Sequence, residues 1–224
     1  MDPGMNPKER IARRCAAELR AGQVVNLGLG VPTLVPNHFD AGVDVVFHTE
    51  NGAFGFGGRP AYFDADSDLT NAGCEPITLR PGAALMDLAT SLGAMRRGFI
   101  DVTILGALEV DAQGNLANWA VRRKGRWWPG IGGAMDLCHA TPKVIAALSH
   151  VDKRGAPKVK ARCSLPLTGR QCVKVIVTDL AVFDVRPGGG LVLRELCTSL
   201  GVAQLRTVTE ADFDVSPALP ASRA

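Results

Sequence analysis

Short apolar runs, separated by glycine-rich or polar segments, recur along this chain and predict buried β-strands. The runs are rich in Val, Ile and Leu, and most are bounded by Gly, Pro, Asp or Asn, as is typical of strands. The predicted strands cover residues 24–27, 43–49, 76–80, 102–105, 143–148, 173–178, 181–185 and 191–193. Helical spacing between several of these runs favours an α/β fold, with an open, mostly parallel sheet flanked by helices.

The clearest helical pattern lies near the N-terminus. Asn6 is suited to be an N-cap, and the proline after it suits the first helical position. Gly22 is expected to end this helix. Its apolar face is predicted to consist of Ile11, Ala12, Cys15, Ala16 and Leu19. Further helices are predicted over residues 84–96 and 202–206, with a short one opened by residues 28–33.

Three segments show little hydrophobic periodicity. Residues 53–75 are rich in Gly, Asp, Asn and Ala and are predicted to form a long loop of the kind that carries function. Residues 153–162 are lysine-rich and predict an exposed connection, and residues 216–224 predict a loose tail. Without an internal repeat, the chain is expected to form a single domain over residues 1–224.

The composition is that of an ordinary globular protein. The 224 residues are 46% hydrophobic and 21% charged. The net charge of +3 is too small to indicate nucleic-acid binding. Apolar runs stay well below the roughly 20 residues needed to cross a bilayer, and the N-terminus lacks the apolar stretch of a signal peptide. We therefore expect a cytoplasmic protein that binds neither nucleic acid nor membranes.

The cysteines and histidines indicate neither a disulfide framework nor a metal site. The six cysteines are scattered without a CxxC pair, which favours buried or incidental thiols in a reducing compartment. Among the four histidines there is no HxxxH spacing, and no histidine lies between Cys163 and Cys172. We assign no metal.

A single carboxylate follows the predicted strand over residues 43–49. Glu50 precedes Asn51 and Gly52, a turn dipeptide, and more glycines follow. In open α/β folds, reactive groups lie just beyond the carboxyl ends of strands. From the residues alone, Glu50 is a candidate nucleophile, a candidate general base or an exposed turn residue.

Two glycine-rich turns and one basic segment are further candidates for ligand binding. Gly28 and Gly30 follow a strand, but Thr33 occupies the third glycine position of a dinucleotide fingerprint, so a tight strand-to-helix turn remains the alternative. The glycines of residues 130–133 precede a predicted helix, where backbone N–H groups can face an oxyanion, or form only a loop. Residues 122–128 are basic and aromatic, which suits phosphate binding, a solvated loop or a contact between subunits.

Six motifs that occur in one order resemble a known family. They are Asn-Leu-Gly-Leu-Gly-Val-Pro-Thr at 26–33, Thr-Glu-Asn-Gly at 49–52, Leu-Ala-Asn-Trp at 116–119, Gly-Gly-Ala-Met-Asp-Leu at 132–137, Leu-Pro-Leu-Thr-Gly at 165–169 and Ala-Val-Phe-Asp-Val at 181–185. This set resembles the β (or B) subunit of the 3-oxoacid coenzyme A-transferases, the succinyl-CoA:3-ketoacid and 3-oxoadipate type. The likeness runs over residues 6–217, and Thr49 stands where the family usually has Ser.

The resemblance implies roles for particular residues. Glu50 would be the covalent nucleophile, which forms a glutamyl-CoA thioester. The backbone N–H groups of Gly133 and Ala134 would stabilise an oxyanion, with Asn26 lining the same pocket. The remaining substrate-binding candidates are Gly132 and Asn51, and the CoA-binding candidates are Gly28, Gly30, Gly52, Gly130 and Arg126.

The resemblance also implies a reaction and a partner. CoA would move from an acyl-CoA such as succinyl-CoA to a 3-oxoacid, with CoA esters as substrates and no separate cofactor. A partner, the α (or A) subunit of the CoA-transferase, would complete the site in an α2β2 heteromer. The implied fold is shared with ribose-5-phosphate isomerase, so a sugar-phosphate isomerase or hydrolase with Glu50 as general base is one alternative. A non-catalytic ligand sensor of the same fold is another.

Overall fold

The computed structural model describes residues 5–39, 43–130 and 132–219, and its main element is a twisted sheet. Its described strands are β1 Val24–Leu27, β2 Val46–Thr49, β3 Ala53–Phe56, β4 Leu79–Leu85, β5 Val102–Gly106, β6 Glu109–Asp111, β7 Leu116–Ala117, β8 Ala120–Arg123, β9 Arg126–Pro129, β10 Lys143–Ala147, β11 Val159–Lys160, β12 Val173–Val177, β13 Ala181–Val185, β14 Leu191–Leu196 and β15 Phe213–Val215. The described helices are α1 Pro7–Ala16, α2 Leu88–Arg96, α3 Ala134–Ala140 and α4 Val202–Thr207, with 3₁₀ turns at Val31–His38 and Tyr62–Asp64.

Ten strands form one open sheet in the order β15-β14-β13-β12-β10-β5-β1-β2-β3-β4. The five central strands, β12 to β2 in that order, are all parallel, whereas β3, β4, β13 and β14 join by antiparallel pairing. The prediction of an open, mostly parallel α/β sheet is confirmed. Because the central strands run the same way, their carboxyl ends meet at one edge, where ligands bind in such folds.

Apolar residues cover both faces of the sheet. In β10, Val144 and Ala146 belong to one buried cluster, whereas Ile145 and Ala147 belong to the other. Successive side chains of a strand point to opposite faces, so the two clusters lie on the two sides of the same sheet. This explains why the central strands are continuous apolar runs rather than alternating ones.

The N-terminal helix begins as the sequence predicts but ends earlier. The side chain of Asn6 accepts a hydrogen bond from the backbone N–H of Lys8 (3.0 Å), and the residue after Asn6 is the first of α1. The helix ends at Ala16, not at Gly22, which lies in a later turn with φ +83°. Ile11, Ala12, Cys15 and Ala16 are buried, as the predicted apolar face requires.

The structure corrects four other boundaries. The strand expected over residues 76–80 is β4, and the helix expected from residue 84 is α2, which begins at Leu88. The long loop over residues 53–75 contains β3 and a 3₁₀ turn. The exposed connection over residues 153–162 contains β11, whose Val159 is fully buried. Of the predicted tail, residues 220–224 lie outside the described part of the chain, and Leu219 packs against the core.

Most of the cysteines are buried thiols, as the sequence predicts. The six cysteines are free, and Cys15, Cys138, Cys172 and Cys197 are buried.

The helices give no sign of a membrane span. Within residues 5–39, 43–130 and 132–219, no helix has the length and apolar character needed to cross a membrane.

Candidate active site

A cavity of about 410 Å³ opens at the carboxyl edge of the central strands. Gly28 follows β1, Glu50 follows β2, Gly106 ends β5 and Leu148 follows β10, and all four residues line the cavity. Most of the lining surface is apolar. A carboxylate in such a cavity can meet a substrate while the surrounding surface restricts water.

Glu50 lies in a turn that is fixed on both sides. The hydroxyl of Thr49 accepts the backbone N–H of Ala72 (2.9 Å) and donates to Asn51 Oδ1 (2.8 Å). Gly52 has φ +120°, and a Cβ at this position would collide with the Met86 carbonyl oxygen. A glycine is therefore required here, and the turn holds the Glu50 side chain toward the cavity.

Two glycines approach the Glu50 carboxylate closely. The backbone N–H of Gly133 donates to Glu50 Oε2 at 3.0 Å. A Cβ on Gly132 would lie 2.8 Å from Oε1, and a Cβ on Gly133 would lie 2.7 Å from Oε2, closer than real Cβ atoms come to other heavy atoms. The absence of side chains at both positions therefore permits the backbone to contact both carboxylate oxygens.

Helix α2 supports this contact from behind. The terminal methyl group of Met95, a fully buried residue of α2, lies 2.8 Å from the position that a Cβ on Gly133 would take. At the surface, the guanidinium of Arg96 donates two hydrogen bonds to the carboxylate of Asp136 (3.0 and 3.1 Å), which joins α2 to α3. Since Gly133 caps α3, packing between these helices fixes the N–H that faces Glu50.

A buried polar network lies beneath the cavity. Asn26 is 1% exposed, and its Oδ1 accepts the hydroxyl of Thr103 (3.0 Å) while its amide donates to His48 Nδ1 (3.1 Å). His48 Nε2 lies 2.9 Å from the hydroxyl of Ser91 in α2. With Nδ1 as acceptor, Nε2 carries the proton, so His48 is the neutral tautomer that links β2 to α2. Burial lowers the pKa of His48 to about 4.

Two buried histidines predict a pH-dependent stability. Burial lowers the pKa of both His48 and His150 to about 4, whereas an unfolded histidine titrates near 6.5. The unfolded chain therefore binds more protons between these values, so stability is full above about pH 7 and falls as the pH decreases. Between about pH 7 and pH 5 we expect a loss of roughly 2 kcal/mol per histidine, measured by urea unfolding. The variant His139→Gln, at a residue outside this buried pair, should keep this slope, and a flat profile would contradict the prediction.

The motifs that carry the family resemblance converge on this cavity. Asn118 donates its amide to the carbonyl oxygen of Gly106 (3.0 Å) and accepts the hydroxyl of Thr168 (2.6 Å). Glu109 accepts the backbone N–H groups of Ser164 and Leu165, which fixes the start of the 165–169 motif. Five of the six motifs therefore line the cavity or lie directly beneath it, whereas the 181–185 motif is β13 of the core.

The structure brings most, but not all, of the sequence-predicted residues to the cavity. Those that line it are Glu50, Gly28, Gly30, Gly130, Gly132, Gly133 and Ala134. Asn26 lies beneath the cavity and contacts His48. Asn51 donates its amide to the carbonyl oxygen of Thr70 outside the cavity, and Gly52 forms part of the turn that follows Glu50. Arg126 is an exposed residue of β9, on a hairpin whose base, at Trp119 and Gly130, reaches the cavity rim.

Sequence reasoning missed three polar residues of this region. Ser149 and Lys158 line the cavity, and His48 supports it from below. A signal existed for His48, because a histidine inside an apolar strand must find buried partners. For Lys158 the local pattern predicted an exposed connection, because its segment is rich in charged residues.

Comparisons with known proteins place this geometry in a family. A family model described as "Coenzyme A transferase" matches residues 8–199. The B-type subunit of the succinyl-CoA:3-ketoacid coenzyme A transferase of Helicobacter pylori (strain ATCC 700392 / 26695) is 46% identical over 208 residues, which cover 93% of this chain and 99% of the relative. The chain belongs to the coenzyme A transferase family. The resemblance drawn from the motifs is confirmed, and so is the enzyme class that it implied.

A second relative carries a different acid in its name. The β subunit of the acetate CoA-transferase of Escherichia coli (strain K12) is 44% identical over 219 residues, which cover 98% of this chain and 99% of the relative. Two relatives of nearly equal similarity are thus named for succinyl and for acetate. Family membership consequently leaves open which acids this chain accepts.

The fold agrees with that of a solved member of the transferase class. An acyl-CoA transferase from Escherichia coli O157:H7 (YdiF) superposes with a TM-score of 0.75 at 20% identity, over all of this chain and 45% of that one. At this identity the likeness concerns the fold alone, which confirms the predicted architecture. The chain spans less than half of that protein's length.

Proposed function

We propose that this chain is the β subunit of a 3-oxoacid CoA-transferase, which moves CoA from succinyl-CoA to a 3-oxoacid such as acetoacetate or 3-oxoadipate. One observation carries the proposal: the Glu50 carboxylate lies in an apolar cavity and accepts the Gly133 N–H at 3.0 Å. A carboxylate suits this exchange, because it can take the place of the acceptor acid during the reaction. Family membership supports the same chemistry.

The exchange proceeds through covalent steps on Glu50. A Glu50 oxygen attacks the thioester carbonyl of the donor, and CoA leaves as a thiolate, which gives a mixed acyl-glutamyl anhydride. The thiolate then attacks the glutamyl carbonyl and releases the donor acid as a carboxylate, which leaves a glutamyl-CoA thioester. The acceptor acid reverses these steps and departs as its CoA ester. The covalent route thus divides one difficult exchange into several easier substitutions.

The Gly133 N–H is placed for one particular intermediate. It already contacts an oxygen of Glu50 itself, at a distance typical of an oxyanion donor. When the thiolate attacks the glutamyl carbon, negative charge develops on a Glu50 oxygen. We infer that Gly133 stabilises this charge, with Ala134 and Gly132 beside it in the same cavity. Gly28, Gly30 and Gly130 remain the candidates for contact with the CoA arm, since they line the cavity.

Exposed apolar side chains at the cavity rim support the proposal of a partner subunit. Leu29 and Met135 both line the cavity and are 59% and 49% exposed. Apolar side chains at the mouth of a site that contains an activated anhydride call for a cover that keeps water out. The relatives are named as B or beta subunits, so we propose that the matching α subunit supplies this cover. The α2β2 assembly, the absence of a cofactor other than CoA esters and the cytoplasmic location stay predictions.

Covalent trapping tests the proposed function. With its partner subunit present, the chain is incubated with succinyl-CoA or acetoacetyl-CoA and then treated with borohydride, which reduces a glutamyl thioester to an alcohol and releases CoA. Peptide mass mapping should place the modification on Glu50 and on no other residue. An acid substrate in excess should discharge the thioester first and so protect Glu50 from reduction.

The same experiment separates the alternatives. A sugar-phosphate isomerase or hydrolase that uses Glu50 as a general base would leave Glu50 unmodified and would not require CoA. A sensor would bind CoA esters without turnover or adduct. Unmodified Glu50 in a preparation that transfers CoA would overturn the covalent mechanism while leaving the transferase class intact.

A further inference from the structure

A lysine without a close carboxylate partner lies in the same cavity as Glu50. Lys158 lines the cavity, and burial is the main reason that the pKa of its side chain is lowered. Among the described residues, no carboxylate oxygen lies within 4.0 Å of its Nζ. A long hydrogen bond runs from Nζ to the hydroxyl of Ser149 (3.5 Å), and Ser149 lines the cavity as well.

Nearby acidic groups compensate this charge only in part. Asp179 and Asp152 favour the charged lysine at longer range, but less than burial disfavours it. Both carboxylates already accept other hydrogen bonds, Asp179 from the backbone N–H of His150 and Asp152 from the backbone N–H groups of Arg154 and Ala156. A charge that is withdrawn from water without a close partner is costly, and an anionic ligand would remove that cost.

The backbone of Lys158 is held in place by hydrogen bonds. Its N–H donates to the carbonyl oxygen of His150 (2.9 Å), and its carbonyl oxygen accepts the N–H of Val110 (3.1 Å). The next residue, Val159, is fully buried in β11. The ammonium group is therefore attached to a rigid part of the fold rather than to a mobile loop, as a specific binding residue requires.

We propose that Lys158 and Ser149 form a subsite for the second carboxylate of a dicarboxylic acyl group, such as the succinyl group, while Glu50 reacts at the thioester end. This inference rests on the proposed function and adds a determinant of substrate class. An ammonium and a hydroxyl on one wall of a mostly apolar cavity match a carboxylate, and neither matches a short alkyl group. A monocarboxylic acyl group would leave the half-buried ammonium unpaired, so the cavity favours the dicarboxylic substrate.

The Lys158→Met variant tests the subsite, because methionine keeps a long side chain and removes the charge. With the partner subunit present, kcat/KM for succinyl-CoA should fall about 10- to 100-fold, the range expected for one charged hydrogen bond. The value for acetyl-CoA should change less than about twofold, because that substrate leaves the subsite unoccupied. Lys158→Arg should retain much of the preference for succinyl-CoA. The matched control is Lys153→Met, at an exposed lysine of the same connection.

Binding of the free acids gives a second readout that does not depend on turnover. By calorimetry, the wild-type complex should bind succinate more tightly than acetate, and Lys158→Met should abolish the difference. An equal loss of kcat/KM for succinyl-CoA and acetyl-CoA would overturn the proposal. It would show that the ammonium binds the CoA phosphates or stabilises the fold. No loss with either substrate would overturn it too. A wild-type complex that prefers succinate but transfers no CoA would instead contradict the proposed function.

Discussion

Replacement of Glu50 by glutamine should abolish CoA transfer while leaving the fold intact. Glutamine has nearly the same shape and can still accept the Gly133 N–H, but its amide cannot form the anhydride or the thioester. Loss of a nucleophile removes the whole covalent route, so we expect kcat to fall about 10⁴- to 10⁶-fold. The measurement is steady-state transfer by the complete heteromeric complex, and borohydride should no longer label the peptide that contains residue 50.

A shorter carboxylate refines this test. Glu50→Asp keeps the reactive group but withdraws it from the Gly133 N–H, and a displacement of about 1 Å can cost roughly 100-fold in rate. The control is Glu75→Gln, an exposed position in the following loop that lies outside the cavity. If Glu50→Gln kept more than about a tenth of the wild-type rate, Glu50 would not be the nucleophile.

The position of Glu50 was predictable from the sequence, and the resemblance implied an oxyanion role for Gly133, but the direct contact between Glu50 and the Gly133 N–H was not predicted. An apolar run that ends in a carboxylate and an Asn-Gly turn indicates a strand end, and the structure places Glu50 directly after β2. The Gly133 N–H belongs to a residue far along the chain and reaches Glu50 because β1, β2, β5 and β10 are neighbours in the sheet. Local periodicity carries no information on strand order, so this contact had to come from the tertiary structure.

The case of Asn26 shows how strand register alters a residue's role. The motif resemblance implied that Asn26 lines the pocket. In the sheet, β1 lies between β2 and β5, and the parallel register sets Asn26 beside His48 on one side and Thr103 on the other. Its oxygen and its nitrogen each make a hydrogen bond to one of these partners, and the side chain is 1% exposed. Asn26 therefore supports the floor of the cavity rather than lining it.

Two boundary errors have physical explanations. Strand β4 contains Pro81 and Gly82, residues that disfavour a strand interior. The sequence pattern therefore predicted that the strand ends before them, over residues 76–80. An edge strand tolerates proline because one of its sides needs no ladder partner, and β4 is the last strand of the sheet. The segment with Lys158 was predicted to be exposed because of its charges. In the structure, Val159 pairs with Val110, so the segment packs against β6.

Addition of a single methyl group at Gly133 should also disable the site. The Cβ of Gly133→Ala would lie 2.7 Å from Glu50 Oε2 and 2.8 Å from the terminal methyl group of Met95, so one or both must move. Gly133 has φ −73°, which alanine adopts without strain, and the effect is therefore steric rather than conformational. Met95 is flexible at its end, but the carboxylate cannot move without losing its hydrogen bond to the Gly133 N–H.

We expect Gly133→Ala to lower kcat about 10²- to 10³-fold, the cost of losing one oxyanion donor, with a smaller change in KM. The thermal midpoint should stay close to that of the wild type, because the clash is relieved by displacement of a side chain at the cavity. Gly93→Ala is the matched control, since a Cβ at this position of α2 meets no atom within 4 Å. If Gly133→Ala transferred CoA at the wild-type rate, the close approach of the backbone to Glu50 would not be part of catalysis. A low rate with undiminished borohydride labelling would instead place the defect in the second half of the exchange, where the acceptor acid discharges the glutamyl thioester.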